Sequence, residues 1–180
     1  MKKTILIFGL ISGAVSSLMM IATVPFMHRI GFDKGLVVGY TAIVLSFLLV
    51  YFGIRSHRDN VGSGQITYTK AFTVGISITL ISCIFYVVTW EIIYYNFLPG
   101  FWDSYAAHMV EKLKASGASP ATIQAQLQEV QTYKDSPFLS AAMTFLEPFP
   151  VGLVITVISA AVLRRRPKEQ QPKQSPMMTA

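Results

Sequence analysis

Four stretches of this chain are too long and too poor in charge to be comfortable in water. Thr4–Val24 is 21 residues without a charged side chain and Leu36–Ile54 is 19. Ala71–Leu98 and Phe138–Leu163 are longer, and each is interrupted by one glutamate. A hydrocarbon core of about 30 Å is crossed by about 20 helical residues rising about 1.5 Å each, so all four are long enough to span. In lipid the backbone must satisfy its own polar groups, so runs of this length are expected to be helices. Composition agrees: 52% of residues are hydrophobic and 13% charged, against about 25% charged in ordinary soluble domains. The expected fold class is all-α, an integral membrane four-helix bundle. Its spans are expected at about 4–26, 36–54, 71–98 and 138–163, within a membrane domain covering 1–166.

The first run competes with a secretory signal, because "MKK" followed by apolar residues fits both. Signal h-regions are about 7–15 residues and end at a small-residue cleavage site. This run passes "GAVSS" and stays apolar to Phe26, so an uncleaved helix is expected.

Lysine and arginine set the expected orientation. With the N-terminus in the cytoplasm, the inner flanks hold Lys2, Lys3, Arg55, Arg58, Lys70, Arg164, Arg165, Arg166, Lys168 and Lys173. The outer flanks hold five: Arg29, Lys34, Lys112, Lys114 and Lys134. Both termini are therefore expected inside. The net charge of +6 then reflects cytoplasmic anchoring and excludes a nucleic-acid binder as its explanation. Arg55, Arg58, Arg164, Arg165 and Arg166 are the candidate contacts to lipid headgroups.

Between the third and fourth spans, residues 103–136 are polar and far longer than a turn requires. "SGASP" breaks the segment, with Ser119 as N-cap and Pro120 in the first helical turn. Ile123, Leu127 and Val130 recur at helical spacing in the second arm. An extracytoplasmic helical hairpin is expected here, offering a surface to a protein partner or to headgroups. The tail 167–180, "PKEQQPKQSPMMTA", is Pro- and Gln-rich without periodicity and is expected to be a disordered cytoplasmic segment.

Glu91 and Glu147 are the two carboxylates inside apolar runs. Glu91 sits in "VTWEIIYYNF", whose aromatic residues mark a membrane interface. Glu147 precedes Pro148 and Pro150 in "TFLEPFPVG", where a break is expected, with Phe138–Leu146 above it. The two glutamates are expected at similar depths, about one helical turn apart, with Arg29 and His28 as candidate partners. Buried ionisable groups in membranes are costly unless paired and face the bundle interior or a wet cavity. Two readings stay open: an ion-pair cluster locking helices, or a vestibule for a cation, proton or amine.

Small residues at four-residue spacing, Gly9 and Gly13, Gly75 and Thr79, and Gly152, Thr156 and Ala160, favour close helix packing. The lone Cys83 lies mid-span and is expected to pack. His28, His57 and His108 are isolated. No H-E-x-x-H, C-x-x-C or G-x-S-x-G occurs, so no catalytic activity, metal or cofactor is expected.

Several pieces, in order, carry a resemblance: "FGIRSHRDNVGSGQITYTKAFTVG" (52–75), "YVVTWEIIYY" (86–95), "MVEKLKASGASPATIQAQ" (109–126) with the following "YKDSP", and "TFLEPFPVGLVITVISAAVLRRR" (144–166). Together they resemble an uncharacterised bacterial inner-membrane family, catalogued as domain of unknown function 4199. The resemblance implies a four-helix inner-membrane protein with an extracytoplasmic helical insertion, and it implies no reaction, ligand or site residue. The expected role is a non-catalytic scaffold or accessory subunit. A small-solute, cation or proton carrier using Glu91 and Glu147 is the alternative, and a membrane enzyme a distant third. The lipid bilayer is an expected partner, a protein bound through residues 103–136 is a second, and a homo-oligomer is left open.

Overall fold

The computed structural model describes residues 1–26, 29 and 31–165. His28, Arg166 and the tail lie outside the described residues. The helices are α1 (Lys2–Thr23), followed by a 3-10 turn at Val24–Phe26, α2 (Phe32–Asn60), α3 (Tyr68–Phe97), α4 (Phe101–Ala115), α5 (Pro120–Asp135), α6 (Pro137–Leu146) and α7 (Phe149–Leu163). No β-strand forms among the described residues. Four segments are long and apolar enough to cross a membrane: α1, α2, α3 and the pair α6–α7. Leu18 exposes 65% of its surface, Val37 67% and Val162 67%, which makes hydrocarbon the solvent these helices suit. The chain is an all-helical, multi-pass membrane protein.

α3 is the central helix and touches α1, α2, α6 and α7. Small residues let the backbones approach. Gly9 and Gly13 of α1 lie against Ile81 and Phe85 of α3, where an added Cβ would stand 2.9 and 2.7 Å away. Gly75 of α3 lies against Ile54 and Thr156, each 2.8 Å from such a Cβ, and Gly152 of α7 lies against Thr79 and Phe47. Hydroxyls stitch the same interfaces. Ser12 Oγ donates to the Ser46 carbonyl at 3.0 Å, Ser17 and Thr89 share a bond of 2.7 Å, and Thr79 and Thr156 share one of 3.1 Å. With no hydrophobic drive between helices in lipid, such contacts and van der Waals packing hold the bundle.

Packing is uneven along the bundle. Every buried residue of α2 lies between Ala42 and His57, whereas Gly35 and Gly39 meet nothing within 4 Å. The tight end carries Met1, the loop after α2 and Arg164–Arg165, and is called the basic end below. The opposite, looser end is the aromatic end. At the basic end the chain turns through Ser63 (φ 50°) and Gly64 (φ 82°), both left-handed. Ile66 and Arg165 then exchange two backbone hydrogen bonds of 3.1 and 2.9 Å, tying this loop to the residue two beyond α7.

The fourth span is broken where proline requires it. α6 ends at Leu146 and α7 starts at Phe149, with Glu147 and Pro148 between. Pro148 has no N–H to donate, so one ladder bond is lost. The Glu147 amide still reaches the Met143 carbonyl at 3.2 Å, and the Gly152 amide reaches the Pro148 carbonyl at 3.0 Å.

α4 and α5 are joined through Gly117 (φ 74°), where only glycine is at ease. Ser119 accepts from the Thr122 amide at 3.2 Å, capping α5 behind Pro120. Lys134 Nζ reaches Asp103 Oδ1 at 2.6 Å, and Trp102 and Tyr133 have ring centroids 6.1 Å apart. The end of α5 thus lies beside the start of α4, so the two helices run antiparallel.

Candidate functional site

α3 brings its half of the polar groups to one interface because Tyr86 and Glu91 both face α6. Across it, Ser140 of α6 donates to Glu91 Oε1 at 3.1 Å, and Tyr86 donates to Glu147 Oε2 at 3.1 Å. The two helices run in opposite directions, so ascending α3 from 86 to 91 means descending the α6 strand of the interface from 147 to 140. The carboxylates therefore sit at different levels. Five residues at about 1.5 Å separate Tyr86 from Glu91, an offset of about 7.5 Å and nearer one and a half turns than one.

Each glutamate has a hydroxyl partner, and no cation lies within 4 Å of either among the described residues. Arg29 is exposed, and no carboxylate lies within that distance of it among the described residues. His28 lies outside the described residues. A neutral hydroxyl satisfies a carboxyl lone pair without bringing a second charge into the membrane. Surface grooves of about 480 and 260 Å³ flank the bundle, the first lined by Leu36, Val37, Tyr40, Thr41, Val44 and Leu45 and the second around Val87, Val88 and Phe145. Both are almost wholly apolar, and neither is lined by Glu91 or Glu147. Among the described residues no three His, Cys, Asp or Glu side chains converge as a metal site would require.

Above Glu91 the aromatic end closes on itself. Phe101 packs edge-on against Trp90 at 4.8 Å and against Phe32 at 6.0 Å, and the His108 ring stacks on Phe32 at 5.1 Å. Lys112 Nζ meets Asp33 Oδ1 at 2.8 Å. The Asp33 carboxylate holds the Lys112 ammonium above the usual lysine range, and Asp103 does the same for Lys134, first through the hydrogen bond and then through charge. Asp33, Lys112 and Asp103 are exposed and Lys134 is half-buried, so these pairs orient α4 and α5 more than they stabilise them.

At the basic end Arg55 and Arg58 converge on Asp59, at 3.6 and 2.7 Å. Arg164 and Arg165 are exposed, and Arg166 lies outside the described residues. Sequence reasoning passed over His57, whose signal is its spacing: it continues the buried stripe of Val50 and Ile54. Its side chain is 1% exposed, and neither ring nitrogen has a hydrogen-bond partner among the described residues. An unpartnered buried polar group costs about 1–3 kcal/mol; Trp102 Nε1 and His108 Nε2 at the aromatic end are likewise buried without a hydrogen-bond partner among the described residues.

Residues 7–165 match the family described as "Protein of unknown function (DUF4199)". The chain belongs to that family. The DUF4199 match runs from α1 through Arg165, so it includes both glutamates, α4, α5 and His57. A comparison with curated proteins found no match. None was found among solved structures either.

Proposed function

We propose that this DUF4199 protein is a non-catalytic scaffold or accessory subunit of the bacterial inner membrane, presenting α4 and α5 as an extracytoplasmic hairpin to a protein partner or to lipid headgroups. The observation that carries this reading is how little α4 and α5 bury. They are 15 and 16 residues long, and Val130 is their one buried residue. Joining α3 to α6 needs about 2–8 residues, so this segment is not there merely to connect spans. Leu127 is 40% exposed, and Ile123 on the same stripe is only half-buried. This leaves the apolar stripe of α5 available to a second surface.

Orientation supports the same reading. The basic end carries Lys2, Lys3, Arg55, Arg58, Lys70, Arg164 and Arg165, which the positive-inside bias assigns to the cytoplasm. α4 and α5 then face outward, with both termini inside. A reporter that fluoresces only in the cytoplasm, fused after Ala180, is expected to be bright, and one inserted between Gly117 and Ala118 dark. The reverse pattern removes the proposal.

Partner presentation is read by photocrosslinking in intact cells. A crosslinking residue at Leu127 is expected to give discrete adducts, while the same residue at Val37 gives only lipid-sized ones. Adducts confined to Val37, or none at Leu127, would defeat the scaffold.

Carriage by Glu91 and Glu147 is the second reading, favoured by one feature: both carboxylates lack a cationic partner among the described residues. It requires loss of solute or proton flux in Glu91→Gln vesicles, which the scaffold does not.

A further inference from the structure

We propose that the apolar groove between α3 and α6 seats one acyl chain of a bilayer lipid whose headgroup carries a primary ammonium, as in phosphatidylethanolamine, and that Glu91 is the acceptor for that ammonium. The site requires the chain to span a membrane. It requires neither the scaffold role of α4 and α5 nor carriage.

The groove has a volume of about 260 Å³. α3 contributes Ile84, Val87 and Val88 to it, and α6 contributes Ala141 and Ala142, whose short side chains leave it open. Phe138 and Phe145, seven residues apart on α6, mark its two ends. Ile84, Val88 and Phe138 are exposed, so the groove faces the hydrocarbon and admits a chain from the bilayer.

The groove runs toward a carboxylate. On α3, Ile84, Val87, Val88 and Glu91 recur at i, i+3, i+4 and i+7, the spacing of one helix face. Glu91 therefore stands about one turn beyond Val88, past the groove and toward the aromatic end. Ala71 and Glu91 are 20 residues apart, about 30 Å of helix and one hydrocarbon thickness. Trp90, Tyr94 and Tyr95 beside Glu91 are of the types that favour headgroup depth. An acyl chain lying along Ile84 and Val88 thus brings its own headgroup to Glu91.

That carboxylate has an acceptor to spare. Oε1 accepts from Ser140 at 3.1 Å. Oε2 has no partner among the described residues and is not sealed off by the protein. Ionisable groups at this depth are costly unless paired, and a cationic N–H is the strongest partner a carboxylate can take. A primary ammonium, like that of lysine, supplies the charge together with three donors. A trimethylated ammonium supplies the charge without a donor, and an anionic headgroup supplies neither. The larger groove along α2 makes the contrast: the nearby carboxylate there, Asp33, is already taken by Lys112.

Full-length protein in detergent is titrated with phosphatidylethanolamine and, separately, with phosphatidylcholine of the same acyl chains, and bound lipids are counted by native mass spectrometry. Wild type is expected to take one phosphatidylethanolamine about tenfold more tightly than phosphatidylcholine, the worth of one charge-assisted hydrogen bond. Glu91→Gln keeps an acceptor for Ser140 and is expected to lose this preference. Ala142→Phe fills the groove and is expected to weaken both lipids alike. Val162→Phe, on an exposed face of α7, is expected to change neither. Thermal unfolding confirms that each variant is folded. Wild type is also titrated with N-methylated and N,N-dimethylated phosphatidylethanolamine, whose affinity should fall as N–H donors are removed; this series decides the matter if a variant does not fold. The proposal is overturned if wild type binds phosphatidylethanolamine and phosphatidylcholine alike, if methylation changes nothing, if folded Glu91→Gln keeps the preference, or if folded Ala142→Phe binds both lipids as wild type does. None of these outcomes alters the crosslinks expected at Leu127, so the scaffold reading stands or falls separately.

Discussion

Gly152→Ile is expected to cost the bundle about 3 kcal/mol, the upper range for overpacking a filled core. Even a single Cβ at position 152 would run into the Thr79 methyl and would stand 2.9 and 3.1 Å from the Phe47 ring. Thr79 is β-branched and stiff, and it already bonds the Thr156 hydroxyl. Phe47 is 2% exposed and has nowhere to turn. A branched side chain must therefore push α7 away from α2 and α3 together. Reversible unfolding in mixed detergent micelles measures the loss. Gly39→Ile, in the loose half of α2 where nothing lies within 4 Å, is the matched control and should be close to neutral. Equal losses at both positions would mean that close approach at Gly152 does not hold the span in place.

The second large effect separates a structural glutamate from a working one. Tyr86→Phe is expected to destabilise the protein by about 1–3 kcal/mol, because it strips the hydroxyl from Glu147 and leaves a carboxyl in the membrane with one partner fewer. Glu147→Leu strands the Tyr86 hydroxyl in the same way and should cost a comparable amount, whereas removing both members of a buried polar pair is often near neutral. In the double variant Tyr86→Phe with Glu147→Leu the two losses should not add, giving a coupling of about 1 kcal/mol or more. Strict additivity would show that the 3.1 Å contact carries no energy. If Glu147→Leu folds normally but abolishes flux across vesicles, the carrier reading displaces the scaffold.

Much of the architecture was legible from residue order alone, for identifiable reasons. A span announces itself because hydrocarbon penalises every charge along about 20 residues, so the four runs could hardly be anything else. The break near Glu147 was legible because a proline lacks an N–H wherever it falls. The small residues at 9 and 13, 75 and 79, and 152 and 156 signalled close approach, and the structure supplies their partners. What could not be read was rotation. Whether Glu91 meets Arg29 or Ser140 depends on how α3 and α6 turn about their axes, and spacing within one helix says nothing of the other. Hence the ion-pair reading looked to Arg29 and His28 and the vestibule reading put both carboxylates on one ligand, whereas each glutamate bonds a hydroxyl on the neighbouring helix. His57 was passed over for a related reason, although its spacing from Val50 and Ile54 was readable. It stands between two arginines in a basic loop-like stretch, and its burial comes from tertiary packing that spacing within one helix does not show.

The pairing of Ile66 with Arg165 has a consequence for how the molecule is made. Its two halves are nearly a hundred positions apart, so Ile66 lacks this backbone partner until the last span has been synthesised and released. A chain truncated before Arg165 is therefore expected to carry every span yet leave this turn unsealed, which limited proteolysis of the truncated and full-length proteins in vesicles would read as faster cleavage after the second span.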